Sequence, residues 1–358
     1  MLWISSYKSL PMKKYLFYIS QNYSFAILRP VQRILQQRGD QVKWFIEGDA
    51  VNPAYLRPDE TRLESIKQVK AFLPDAVLAP ANSIPSFIPG LKVAVFHGFD
   101  AGKLDRQGRN DHFKIRGCFD LYCTQGPDTT REFKTLQKKY GYFNVIETGW
   151  PALDPLFEKP ESAPPHSKPV VLLCSTFTQK LSCARRLFPI VSEISRSAKW
   201  QWIIQFHPKM DPAVIALYQS IQSEHLQYIE TDNVIPLLQQ ADVMVCDTSS
   251  VILMFLIQNK PVVTFKNIDP GPYLLDIDNP DLLEQSITRA LSHPPELMLQ
   301  LQQKTAQTHP YQDAKSAQRV VSAIDEVLSG KHPLKNSRPL NFLRDLKFRQ
   351  RLNYWSFL

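Results

Sequence analysis

The chain has 358 residues, 44% of them hydrophobic, which is enough to bury a sizeable core and exceeds the roughly 250–300 residues at which single cores tend to divide. Its net charge of +8 suggests a nucleic-acid partner only until it is located. Seven Lys or Arg and one acid, Asp345, lie between 331 and 358, which leaves the body near neutral and excludes a basic nucleic-acid-binding face there.

The first third alternates strand-like and helix-like runs. KYLFYIS from Lys14, QVKWFIEG from Gln41, DAVLAP from Asp75 and KVAVFHG from Lys92 read as strands. FAILRPVQRILQQRG, closed by Gly39, and TRLESIKQVKAFL read as helices between them. DLYCTQG then gives a strand, TTREFKTLQKKYG a helix closed by Gly141, and NVIETGWP a strand running into a turn. Residues 1–11 precede every element, and Met12 is an alternative start.

The proline-rich stretch EKPESAPPHSKP interrupts the rhythm and is the expected linker, 158–168, between a domain over 1–157 and one over 169–330. The second half restarts with PVVLLCST, WQWIIQFHP, LQYIET, DVMVCDTSS and PVVTFKN as strands, separated by LFPIVSEISRSA, DPAVIALYQSIQS, VIPLLQQA and VILMFLIQNK as helices. PDLLEQSITRALS and AKSAQRVVSAIDEVLSG follow as helices, and 331–358 is set apart as a basic, aromatic tail. Two α/β domains with mostly parallel strands are expected, facing each other across a cleft into which strand C-termini would open.

Five cysteines, Cys118, Cys123, Cys174, Cys183 and Cys246, form no CxxC pair, and no histidine spacing suggests zinc. With no apolar run near the roughly 18 residues of a membrane span and no signal-peptide pattern, a reduced, cytoplasmic setting is expected. No dinucleotide fingerprint, phosphate loop, zinc-protease or nucleophile-elbow motif occurs, and no metal or cofactor is expected.

Chemistry is concentrated where strands end. DTSS, residues 247–250, interrupts an apolar strand and an apolar helix; Thr248, Ser249 and Ser250 there can cap the helix or hold an anion at its positive end, with Asp247 beside them. In QFHPK, His207 and Lys209 share that sheet edge and suit a phosphate. CSTF places Ser175 and Thr176 at the end of the preceding strand, where a ligand or a capped turn explains them equally well. In VAVFHG, His97 ends a strand with the pKa range of a general base, and Gly98 permits a close turn. The loop that follows carries Lys103 and Arg106, read as contacts for an anionic acceptor or as solvated charges.

FHG at 96–98, ETGWPALDPL at 147–156, CSTF at 174–177, FHP at 206–208, ADVMVCDTSSV at 241–251, KPVVTF at 260–265 and QDAKSAQR at 312–319 occur in that order. Together they resemble the CDP-glycerol glycerophosphotransferase family, polymerases and primases of teichoic-acid-like polymers with a two-domain GT-B fold. The resemblance spans roughly residues 90–325. It implies His97 as base for the acceptor hydroxyl, His207 as the second functional histidine, and Ser249 and Ser250 as holders of the donor phosphates. It implies transfer of glycerol phosphate from a CDP-activated donor to a hydroxyl of a cell-envelope or polysaccharide acceptor, with release of CMP.

The sequence departs from the family pattern in three places. VILMF stands where an aspartate usually follows the serine pair, Thr178 stands for an arginine, and Ala314 for the glycine of the C-terminal DG. CDP-ribitol, another activated alditol, or a nucleotide sugar used by an inverting GT-B glycosyltransferase of capsule or lipopolysaccharide synthesis therefore remain alternative donors, and an inactive binder of the same fold is a third reading. The tail mixes Arg and Lys with Leu, Phe, Tyr and Trp, as expected of a peripheral contact with the inner face of a membrane carrying a lipid-linked acceptor, or of a segment packed across the first domain with its charges solvated.

Overall fold

Runs such as YLFYI and VVLLC are apolar at every position rather than at alternate ones, and each forms a strand buried on both faces of a parallel sheet. The computed structural model describes residues 11–100, 107–108, 110–158, 167–207, 209–231 and 233–355. These form two units, one of the described residues up to Ala152 together with those from Lys315 on, the other from Leu153 to Ala314.

The first unit holds β1 (Lys14–Ile19), β2 (Gln41–Ile46), β3 (Arg62–Leu63), β4 (Ala76–Ala79), β5 (Leu91–Val95), β6 (Leu121–Thr124) and β7 (Asn144–Glu147), in the order β3-β2-β1-β4-β5-β6-β7. The second holds β8 (Val170–Ser175), β9 (Gln201–Phe206), β10 (Leu226–Tyr228), β11 (Val243–Cys246), β12 (Val262–Phe265) and β13 (Leu275–Ile277), in the order β10-β9-β8-β11-β12-β13. Every strand pairing is parallel. Both sheets are thus doubly wound, with chain direction across the sheet reversing beside the first strand entered. Those reversal points, β1/β4 and β8/β11, leave crevices at the strand C-termini where ligands bind. The expected α/β class with two Rossmann-like units is borne out.

Packing follows from the patterning. In the first unit Phe17 and Trp44, paired in register across β1 and β2, meet edge to face with ring centroids 4.9 Å apart. In the second, Trp202, Ile204 and Phe206 of β9 join Leu187 and Val191 of the helix Ala184–Ile194 in one buried cluster. All five cysteines are buried and unpaired with one another.

Several boundaries differ from the sequence reading. TRLESIKQVKAFL is not one helix: Arg62–Leu63 pairs with β2, and the helix starts at Ile66, where Ser65 Oγ accepts from Gln68 N at 3.2 Å while Gln68 Oε1 accepts from Glu64 N at 2.7 Å. The second unit begins before the proline-rich stretch, because Gln239 Nε2 lies 3.0–3.2 Å from the carbonyl oxygens of Pro155, Leu156 and Glu158. Most of the expected linker, 159–166, is outside the described residues. The helix Ser316–Leu328, expected in the second domain, belongs to the first unit: its Asp325 pairs with Lys13 at 2.6 Å and with Arg38, and Val320 and Ile324 are fully buried.

The tail is folded onto the first unit as well, but its charges are not simply solvated. Arg338 binds the Asp120 carboxylate and the Cys118 carbonyl, Asp345 accepts from Ser86 Oγ at 2.6 Å, and Phe348 is buried in the helix Phe342–Arg351. No described helix is long and apolar enough to cross a membrane.

Candidate functional site

The crevice at the β8/β11 reversal point of the second unit is a cavity of about 270 Å³. It brings together Ser175, Thr176, His207, Ser249 and Ser250, five residues singled out from sequence, and adds Gln205, Thr231, Val234 and Met254, which were not. Gln205 lies in β9, Thr231 in a loop, Val234 just ahead of the helix Ile235–Gln240 and Met254 within the helix Val251–Leu256, and no motif marks them.

Asp247 and Ser175 are held in a dense hydrogen-bond network. Asp247 is fully buried, and its carboxylate accepts from Ser175 Oγ at 2.5 Å, Thr248 N at 2.7 Å, Cys183 N at 3.0 Å and Thr176 N at 3.1 Å. One side chain thereby ties the end of β8, the start of the helix Ala184–Ile194 and the loop after β11. Ser175 Oγ is also bonded to Ser182 Oγ at 2.8 Å. Thr248 is turned to the other side, its Oγ1 accepting from Ile268 N at 3.2 Å, and is not in the cavity wall. Asp247, Ser175 and Thr248, read from sequence as candidate contacts for the donor nucleotide (Asp247, Ser175) and its phosphates (Thr248), thus brace the loop, and of the three Ser175 also lines the cavity.

Ser249 and Ser250 face the cavity ahead of the helix Val251–Leu256. That helix has six residues rather than the ten of VILMFLIQNK, so the groups available are the serine hydroxyls more than a strong dipole. His207 caps the end of β9. The Lys209 N–H donates to its Nδ1 at 3.1 Å, so the ring carries its proton on Nε2 and is a hydrogen-bond donor. Burial, and after it the Lys209 ammonium, lower its pKa from 6.5, so the ring is neutral at pH 7. The ring packs on Phe177, centroids 4.5 Å apart, and Lys209 Nζ lies over the same phenyl ring at 5.9 Å. Lys209 is exposed and stands outside the cavity wall.

In the first unit, the crevice at the β1/β4 reversal point is a cavity of about 420 Å³ lined by residues following β1, β2 and β4, among them Ser20, Glu47, Asp49, Asn82 and Ser83, together with His97 and Arg351. The His97 Nδ1–H donates to the Pro80 carbonyl at 3.1 Å, so Nε2 is the basic nitrogen. The ring stacks against Tyr23 with centroids 5.8 Å apart. Trp150 of ETGWP donates from Nε1 to the Phe96 carbonyl at 2.7 Å, fixing the backbone just ahead of His97. Glu47, buried, accepts from Tyr18 Oη at 2.6 Å, and Arg351 Nε lies 2.9 Å from its other oxygen. Tyr23, Glu47 and Arg351 were missed; Arg351 is 304 positions from Glu47 in the chain and nothing local signals the pairing.

Gly98 is outside the left-handed region, and a Cβ there would meet nothing within 4 Å, so no backbone constraint demands the glycine. Its carbonyl accepts from Gln125 Nε2 at 2.8 Å. Lys103 and Arg106 lie outside the described residues.

Comparison with known proteins places these two crevices in context. Residues 129–326 match the model of the family described as CDP-glycerol:poly(glycerophosphate) glycerophosphotransferase. The wall teichoic acid polymerase TagF is similar in structure, with a TM-score of 0.63 and 14% identity over 90% of this chain and 91% of that one. So are S. aureus MnaA in complex with UDP (0.61, 15%, 92% and 100%) and a UDP-N-acetylglucosamine 2-epimerase (0.57, 15%, 92% and 99%). At these identities the structural likenesses establish the fold, GT-B. No curated protein matches the chain significantly.

Proposed function

The chain belongs to the CDP-glycerol:poly(glycerophosphate) glycerophosphotransferase family, a family of enzymes, and from that premise we propose that it transfers an alditol phosphate, glycerol phosphate in the first instance, from a CDP-activated donor to an acceptor hydroxyl of a teichoic-acid-like polymer. The observation that carries the reading is the pair of oppositely set histidine tautomers: His97 presents a basic Nε2 and His207 an Nε2–H donor.

In the proposed reaction His97 Nε2 takes the proton of the acceptor hydroxyl as its oxygen attacks the alditol-bearing phosphorus. The bond from that phosphorus to the bridging oxygen breaks, and CMP leaves with the electron pair. His207 Nε2–H and the hydroxyls of Ser249 and Ser250 hold the diphosphate and the charge that develops on the bridging oxygen. In phosphoryl transfer most catalysis is positioning and charge stabilisation, which is what such groups supply. Val234 and Met254 offer apolar surface for the base or ribose in the same cavity.

The test is CMP release from CDP-glycerol, CDP-ribitol and nucleotide sugars in the presence of envelope acceptor. Turnover of a CDP-alditol that His97→Asn lowers by about 10²–10⁴-fold, and that Ser249→Ala lowers by about 10²–10³-fold, is expected. Turnover confined to a nucleotide sugar would replace the reaction by glycosyl transfer, and silence across the panel would return the chain to a binder.

A further inference from the structure

Behind the crevice of the first unit is a smaller cavity of about 30 Å³, whose wall shares Ala81, Asn82 and His97 with it. Pro80 belongs to the inner wall and not to the outer one. The Nδ1 edge of His97, which donates to the Pro80 carbonyl, is therefore turned to the inner cavity, and Nε2 is left to the crevice. His112 stands in the same inner wall. It belongs to the single-turn helix Asp111–Phe113, and Asn110 fixes it there, accepting from His112 N at 2.9 Å and donating to Asp100 at 2.7 Å. The imidazole stacks on Phe96, the residue ahead of His97, with centroids 5.1 Å apart.

Stacking satisfies the face of this ring but not its edge. His112 Nε2 is buried without a hydrogen-bond partner among the described residues, in a wall that includes Val95, Phe119 and Phe133. Buried polar atoms are nearly always paired, with protein or with an ordered water. A water needs about 10–15 Å³ and two or more polar partners, and the cavity supplies the room together with His112, Asn82 and the second lone pair of the Pro80 carbonyl. Burial, the largest influence, and His97 oppose a charged ring, while Asp100 and Asp111 favour it; the pKa is lowered from 6.5, and the ring is neutral at pH 7. Of the cations in the wall, Arg116 is paired with Asp111 at 2.7 Å and Lys114 is exposed.

We infer that His112 is a positioning residue for His97: a water in the inner cavity joins His112 Nε2 to the Pro80 carbonyl that receives the His97 Nδ1–H, and so holds the ring in the tautomer with Nε2 unprotonated. The hydrogen bond made by one ring nitrogen sets the state of the other. The link between the two rings stands on the cavity; its value to turnover rests on the reading of His97 as the base given above. As the pH falls below 6.5 both rings gain charge across one small cavity, so the acid limb of turnover is steeper than one proton.

The experiment compares the full native chain with His112→Phe, which keeps the stack on Phe96 and loses the nitrogen, and with His112→Gln, whose side-chain amide can bind the same water. Nitrogen NMR of the imidazoles, without donor or acceptor, is expected to show His97 unprotonated at Nε2 in the native chain and in His112→Gln, and averaged between tautomers in His112→Phe. In CMP release from CDP-glycerol, kcat is expected to fall about 10–100-fold in His112→Phe with the donor KM unchanged, and to return to within about threefold in His112→Gln with an acid limb of one proton. Circular dichroism checks that both variants keep the fold. A His97 tautomer unmoved in His112→Phe, or a loss that His112→Gln shares in full, would overturn the inference. Absence of CMP release by the native chain would remove the reaction, while the NMR comparison still decides the link between the histidines.

Discussion

Replacing Asp247 by asparagine keeps the shape of the side chain and removes one acceptor from a crowded site. Oδ2 receives Ser175 Oγ and Cys183 N, Oδ1 receives Thr248 N, and Thr176 N lies 3.1 Å from both. With the amide nitrogen in the place of Oδ2, Ser175 can rotate its hydroxyl to accept and Thr176 can rely on Oδ1, but the Cys183 N–H then faces another N–H. A buried donor orphaned in this way costs about 1–3 kcal/mol, and bonds that pass from a charged to a neutral acceptor lose roughly 1 kcal/mol each. Relief of the buried carboxylate's desolvation returns part of this, leaving a net loss of about 3 kcal/mol. For a unit of this size that lowers the melting temperature by roughly 6–12 °C. Calorimetry should show the transition of the second unit moving down, with weaker CDP binding by titration as the loop bearing Ser249 loosens. An unchanged melting temperature would refute the bracing role; unchanged stability with weaker CDP binding would make Asp247 a nucleotide contact instead.

Other consequences are open to direct measurement. Lys209→Ala removes a like charge from His207, so its pKa, held below 6.5 chiefly by burial, should rise toward that value in an NMR titration; no rise would exclude the ammonium as a cause. The sign also fixes a pH effect: the stability carried by neutral His207 is complete above 6.5 and is lost as the pH falls through the lower native pKa, visible in acid unfolding curves compared with His207→Gln. Ala314 sits at φ +55°, where the family pattern has glycine, so Ala314→Gly should stabilise the chain by about 0.5–1 kcal/mol and raise its melting temperature slightly. Phe348→Ala should cost about 3–5 kcal/mol of docking in the C-terminal helix, so trypsin cuts there well before the core; equal resistance would count against the packing described.

Strand positions and the restart of the rhythm in the second half were legible, because doubly buried strands are continuous apolar runs broken by turn residues. The β1/β4 and β8/β11 crevices could be anticipated from where those runs end in FHG, FHP and DTSS. What could not be read was direction. Ser175, Asp247 and Thr248 share the polarity of Ser249 and Ser250, and that their oxygens bond backbone and neighbouring hydroxyls is visible only in the structure. β3 and β13, of two and three residues, carry too little pattern to detect, whereas the three residues of β10 lie in the longer β-rich run LQYIET. The allegiance of Ser316–Leu328 is decided by Asp325 meeting Lys13 across most of the chain, and the tail shows no conventional amphipathic face because its polar residues are the ones that point inward.

The two crevices arise from the same strand order and differ in chemistry, which suits them to different ligands. The cavity of the first unit is edged by two carboxylates, Glu47 and Asp49, and Arg351 answers Glu47 at 2.9 Å, so little positive charge is left over there to hold a diphosphate. Carboxylates, amides and a stacked tyrosine suit hydroxyl groups, which donate to them. No acid is found among the described residues of the second unit's cavity wall; Ser249, Ser250 and the Nε2–H of His207 are donors there, suited to an acceptor-rich ligand. Under the proposed reaction the diphosphate would therefore belong to the second cavity and the acceptor hydroxyl to the first, in keeping with the tautomer of the histidine in each. With the two tautomers exchanged, the proposed reaction would set a basic nitrogen toward the phosphate and an N–H toward the hydroxyl, and the reading would lose its support.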